Sequence, residues 1–126
     1  MPASPHILLV DDEVLAIIAL EQSLLDEGFR VTTAFDGREA LEHWRDGPFD
    51  ALVTDLRMPG MGGDELIRQV RHARPGLPVV VVSGYATGDV SDRLRASHPD
   101  PLIVMAKPVR VEDVMDALRR MLPPAG

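Results

Sequence analysis

The run His6-Ile7-Leu8-Leu9-Val10 leads straight into Asp11-Asp12-Glu13, and this abrupt change from apolar to acidic decides the fold. A nearly continuous apolar run of this length, without alternation, is the pattern of a strand covered on both faces, as in a parallel sheet packed between helices. Charges are not tolerated there without partners, so the acids mark the carboxyl end of the strand.

The same theme recurs outward from this segment. Arg30-Val31-Thr32-Thr33-Ala34, Ala51-Leu52-Val53-Thr54, Pro78-Val79-Val80-Val81-Val82 and Leu102-Ile103-Val104-Met105-Ala106 all read as strands, the last two again as strands buried on both faces. Helix-period segments alternate with them. Leu15, Ile18, Ala19 and Leu25 carry the first, Ala40, Leu41 and Trp44 the second, and Leu66, Ile67 and Val70 the third. Val90 and Leu94 mark a weaker fourth, and Val114, Ala117, Leu118 and Met121 a fifth. Asp36 with Glu39 three residues on has the form of a capping box, Gly28 follows the first helix, and Arg119 and Arg120 suit a last helical turn. Five βα units joined by right-handed crossovers predict an α/β fold with a doubly wound, five-stranded parallel sheet.

At 126 residues the chain is expected to form one domain over 1–126, with its core from about Pro5 to Leu122 and no output domain. The Pro-rich ends, Met1 to Pro5 and Pro123 to Gly126, are expected to fray. Cysteine is absent, which excludes disulfides, thiolate metal sites and thiol nucleophiles. No apolar run approaches the roughly 20 residues of a membrane span. Net charge is −7, with twelve acids against four arginines in residues 1–63 but eight acids against nine bases from residue 64 onward. Direct nucleic-acid binding is therefore not expected, and a cation would be drawn to the first half.

In open α/β sheets, ligands bind outside the carboxyl ends of the strands. Asp11 and Asp12 end the first strand, Asp55 the third, Ser83 the fourth and Lys107 the fifth, so these residues should converge. Lys107 is the only lysine beside twelve arginines, which points to a need for a compact ammonium. Crowded carboxylates should raise at least one pKa unless Lys107 or a cation offsets the charge. Carboxylate oxygens without thiol or imidazole neighbours suit Mg²⁺ and disfavour Zn²⁺. A carboxylate beside such a cation and a lysine can attack a phosphoryl group. Asp55 is the expected nucleophile, because Gly60, Gly62 and Gly63 in the following loop allow close backbone approach. The Ser83 hydroxyl would bond the arriving phosphoryl oxygen.

From about Pro5 to Leu122 the chain resembles the receiver domains of two-component response regulators. The resemblance rests on Asp11-Asp12-Glu13, Asp55 with Met58-Pro59-Gly60, Val82-Ser83-Gly84 and Lys107-Pro108. It implies a flavodoxin-like (βα)5 receiver fold with strand order 2-1-3-4-5 and phosphorylation of Asp55 by a histidine kinase or phosphotransfer protein. It also implies a downstream protein target, a cytoplasmic location and a monomer or weak homodimer. Asp12, Asp55 and the Arg57 carbonyl would bind Mg²⁺, Asp11 mainly through water, and Lys107 would contact Asp55 and its phosphate. The Lys107-Pro108 bond is often cis in this family. Val104 replaces the aromatic common three residues before the lysine, so rotation of an aromatic ring is not available here to report phosphorylation. Arg57 and Tyr85 occupy positions associated in this family with the rate of phosphate loss.

Other readings compete at single motifs. Asp11-Asp12-Glu13 alone would serve as helix-capping acids, and the glycines around Gly62 as plain turn chemistry, since the third glycine of a dinucleotide loop is missing. His6, His43, His72 and His98 lack ligand spacing and fit surface or packing roles, while Met105, Met115 and Met121 fit core packing. Arg93, Arg95, Asp113 and Asp116 read as solvated, or as pairs across a homodimer. As whole functions, an interaction module that never uses phosphate and an aspartyl-phosphate phosphatase are the alternatives. The phosphatase would carry its nucleophile on the first strand in a D-x-D pattern, where this chain has adjacent acids.

Overall fold

Each apolar run forms a strand and each helix-period segment a helix in the computed structural model, which describes residues 4–122. The order is β1 (His6–Val10), α1 (Val14–Asp26), β2 (Arg30–Ala34), α2 (Gly37–Asp46), β3 (Ala51–Thr54), α3 (Gly63–Ala73), β4 (Val79–Ser83), α4 (Gly88–Ser97), β5 (Leu102–Ala106) and α5 (Val111–Met121). All pairings are parallel and the strand order is β2-β1-β3-β4-β5, as the resemblance implied.

Strand side chains alternate between two cores. Ile7 and Leu9 of β1 face Ile17, Leu20 and Leu24 of α1 and Val114 and Leu118 of α5. Leu8 and Val10 face Leu41 of α2, Leu66, Ile67 and Val70 of α3 and Leu94 of α4. Both faces of β1, β3 and β4 are thus covered, and each fully buried Leu or Ile contributes about 1.5–3 kcal/mol.

Local signals behave as their chemistry dictates. The Asp36 carboxylate accepts the Glu39 N–H at 2.8 Å, while Glu39 reaches back to the N–H of Phe35, one residue before the cap. Gly28 ends α1 with φ of +92°, a conformation that costs other residues strain. Trp44 packs on the α2–α4 core and stacks on Phe49, with centroids 6.0 Å apart.

Three expectations need correction. In α1 the inward face is Ile17, Leu20 and Leu24, whereas Leu15 is 81% exposed and Ile18, Ala19 and Leu25 also face solvent. The helix is apolar on more than one side, so periodicity alone did not select a face. β5 is not buried on both faces: it is an edge strand, with Ile103, Val104 and Met105 half-buried and Ala106 exposed. Finally, Ser4 and Pro5 are tied down, their carbonyls accepting from the Arg30 side chain and backbone N–H. The other terminal positions expected to fray, 1–3 and 123–126, lie outside the described residues.

Candidate functional site

Register brings the strand ends together. Val10 aligns with Thr54, Thr54 with Val81 and Ser83 with Ala106, so the next residues of β1, β3 and β5 emerge on one rim. The Asp55 N–H continues the ladder to the Val10 carbonyl at 3.0 Å, and the Lys107 N–H to the Ser83 carbonyl at 3.0 Å. Asp55 and Lys107 are thus fixed by sheet-type hydrogen bonds at the first loop position past their strands.

Asp11, Asp12 and Asp55 each present a carboxylate oxygen within 4.8 Å of the others; Asp11 and Asp55 are buried and Asp12 is exposed. Lys107 Nζ donates to Asp11 Oδ2 at 2.8 Å, Glu13 Oε1 at 3.0 Å and Asp55 Oδ2 at 3.1 Å. The remaining oxygens of the buried acids are also held, Asp11 Oδ1 by the Glu13 N–H at 2.9 Å and Asp55 Oδ1 by the Leu56 N–H at 2.6 Å.

Burial pushes the Asp11 carboxyl above its ordinary pKa, against the pull of Lys107 and the Glu13 N–H, and the Asp55 charge adds a smaller push in the same direction. The rise expected from crowding is present, but desolvation leads it. Burial alone would lower the Lys107 pKa; its bonds to Asp11, Glu13 and Asp55 outweigh this and hold the ammonium above its ordinary value.

Ser83 is wholly buried at the end of β4, and its hydroxyl oxygen accepts the Tyr85 N–H at 3.1 Å. Its own proton is left free to turn toward an acceptor. The Arg57 guanidinium lies 4.0 Å from the centre of the Tyr85 ring, a cation–π contact. Both residues line a cleft of about 360 Å³ shared with Asp12, Glu13, Asp55, Met58 and Pro59. The loop glycines matter through α3: a Cβ on Gly63 would fall 2.1 Å from the Asp55 carbonyl oxygen, and the Gly63 N–H bonds the Leu56 carbonyl at 2.8 Å. The start of α3 therefore braces the chain around Asp55. The Lys107-Pro108 peptide is cis, as is Asp100-Pro101.

Some features escaped the sequence reading. Glu13 as a third partner of Lys107 was not anticipated; its adjacency to the acid pair was the available signal. Arg71 is buried, and its guanidinium donates to the carbonyls of Leu77, Pro99 and Pro101, joining the turns before β4 and β5. His98 is buried with Nε2 2.5 Å from Asp64 Oδ1, in keeping with a packing role.

A five-stranded parallel sheet with three carboxylates and one ammonium at its carboxyl rim defines the receiver class of signalling domain. Residues 7–119 match the response regulator receiver domain family, and the chain belongs to it. A response regulator receiver protein of Anaeromyxobacter sp. is 39% identical over 86% of this chain and 45% of its own length. The transcriptional regulatory protein PrrA of Mycobacterium leprae is 32% identical over 95% of this chain and 51% of its own length. The chain thus spans about half the length of these relatives. Among solved structures, chemotaxis protein CheY4 of Vibrio cholerae superposes with a TM-score of 0.87 at 28% identity, covering 95% of this chain and all of that one (100%). The response regulator TrrA of Thermotoga maritima, solved in complex with Mg²⁺-BeF, superposes at 0.81 with 25% identity, covering 94% of this chain and 99% of that one. Receiver domains are signalling switches rather than classical enzymes. Among the described residues, no helix is long and apolar enough to cross a membrane.

Proposed function

We propose that this receiver domain is a phosphorylation-activated switch that accepts a phosphoryl group on Asp55 from a histidine kinase or phosphotransfer partner in the cytoplasm. The observation that carries this reading is the bridging of buried Asp11 and Asp55 by Lys107 beside the exposed Asp12. An Asp55 carboxylate oxygen attacks phosphorus, a P–O bond forms, and the P–N bond of the donor phosphohistidine breaks with its electron pair leaving on the protonated imidazole. Attack by water later breaks that P–O bond, returning the carboxylate and inorganic phosphate. Lys107 orients Asp55 and neutralises charge gathered on the phosphoryl oxygens, and Ser83 turns its free proton to one of them.

The oxygen donor set fits Mg²⁺: carboxylates from Asp11, Asp12 and Asp55, with the Arg57 carbonyl as a further donor, and no soft ligand. When bound, Mg²⁺ supplies the positive charge that the crowded carboxylates and an incoming phosphoryl group lack. The Thermotoga relative solved with Mg²⁺-BeF supports this assignment. The domain, with its core at about residues 5–122, acts as a monomer or weak homodimer and passes the signal to a downstream protein.

Incubation with acetyl phosphate tests the reading. Mg²⁺-dependent labelling that is lost on chelation and in Asp55→Asn is the expected result. A wild-type protein that takes up no label, or an Asp55→Asn protein that labels equally, overturns it.

A further inference from the structure

We propose that Glu13 is a positioning residue: it latches Lys107 in the resting site and must release it before the ammonium can engage a phosphoryl group on Asp55. The inference rests on Asp55 being the acceptor. A lysine ammonium has three N–H donors, and in this structure all three are spent, on Asp11 at 2.8 Å, Glu13 at 3.0 Å and Asp55 at 3.1 Å. A phosphoryl group brings new oxygen acceptors, so one existing contact has to give way.

The three contacts are unequal. The Asp11 and Asp55 side chains are each 7% exposed and each has a second anchor in a backbone N–H, whereas the Glu13 side chain is 64% exposed. Once released, Glu13 is solvated directly, while in the resting, metal-free site either buried acid would be left without its cationic partner. Glu13 also stands at the N-cap of α1, yet its carboxylate makes no capping bond to that helix. It turns to Lys107 instead. Its backbone N–H meanwhile holds Asp11 Oδ1, so the residue braces both halves of the pair it guards. An exposed ion pair of this kind biases the competition for the ammonium by roughly two- to fivefold.

Because Lys107 is the only lysine, ¹⁵N-lysine labelling yields one side-chain ammonium signal, read directly by NMR. In resting, metal-free protein, Glu13→Gln and Glu13→Asp are both expected to move that signal, since the first leaves Lys107 only a neutral amide oxygen as acceptor and the second keeps the charge on a shorter arm. A signal unmoved by both overturns the latch, whatever the protein does with phosphate. Titration with Mg²⁺ and beryllofluoride should then give half-saturation roughly two- to fivefold lower in both variants than in wild type. A drop in Glu13→Gln alone would assign the effect to long-range charge and overturn the latch. Wild-type protein that binds no beryllofluoride would instead count against Asp55 as acceptor, with the ammonium comparison still deciding the role of Glu13.

Discussion

Replacing Asp12 by Asn should make the metal-free protein more stable, and the size of the effect follows from the site's geometry. The Asp12, Asp11 and Asp55 oxygens lie within 4.8 Å of one another, and Asp12 is the exposed member. At that separation one pair of unit charges interacts by about 1 kcal/mol in a water-like dielectric and roughly 3–4 kcal/mol at an effective dielectric of 20. Asp12 feels two repulsions, from Asp11 and Asp55, and one attraction, from the Lys107 ammonium that bridges them. One repulsion is left after cancellation. Exposure selects the water-like limit, so Asp12→Asn should gain about 1 kcal/mol at low salt, or roughly 3–5 °C in melting temperature for a domain of this size. Urea titration in EDTA should show a later midpoint with unchanged slope, and the gain should shrink in high salt. With saturating Mg²⁺ the order should reverse, because ligand binding stabilises the wild type and the variant has lost one donor. A variant no more stable than wild type in EDTA, or equally stabilised by Mg²⁺, refutes the reasoning.

Three further outcomes follow from other parts of the molecule. Arg71→Met should cost about 3 kcal/mol in urea unfolding, since the carbonyls of Leu77 and Pro99 lose the guanidinium donor and that of Pro101 keeps only the Val79 N–H; a change below about 0.5 kcal/mol would mean that water replaces the guanidinium without loss. Gly63→Ala should cost about 2–4 kcal/mol and depress acetyl phosphate labelling, because a Cβ there meets the Asp55 carbonyl oxygen at 2.1 Å; wild-type melting and labelling would contradict the close approach. Lys107 has a folded-state pKa above its ordinary 10.5, so its contribution is fully present below pH 10.5 and lost as pH rises through the folded value. In EDTA the stability difference between wild type and Lys107→Met should therefore stay flat as pH is raised from neutral until the alkaline range is reached; a change centred just above neutrality would assign it to another group.

Much of this architecture was legible because strand burial and strand termination leave strong marks. Uninterrupted apolar runs identified β1 and β4, and the charges that ended β1, β3 and β5 became the site, because parallel register carries those ends to one rim. What periodicity could not resolve was which side of α1 faces inward. Val14, Leu15, Ile18 and Leu25 are as apolar as Ile17, Leu20 and Leu24, and only packing against β1 and α5 distinguishes them. Continuous apolar character likewise misplaced β5, because an edge position is a property of strand order and not of composition. Arg71 and Glu13 were hidden for a related reason: a charged residue acquires its meaning from carbonyls or an ammonium far away in sequence, such as Lys107, 94 residues from Glu13.

In the proposed switch, phosphate arrives on Asp55 and nowhere else. Borohydride reduces an aspartyl phosphate to homoserine, so treating protein loaded with acetyl phosphate and Mg²⁺, followed by peptide mass mapping, reads the acceptor directly. Homoserine at position 55 alone is the predicted result. Homoserine at position 11 or 12, or none in a protein that has taken up label, would contradict it.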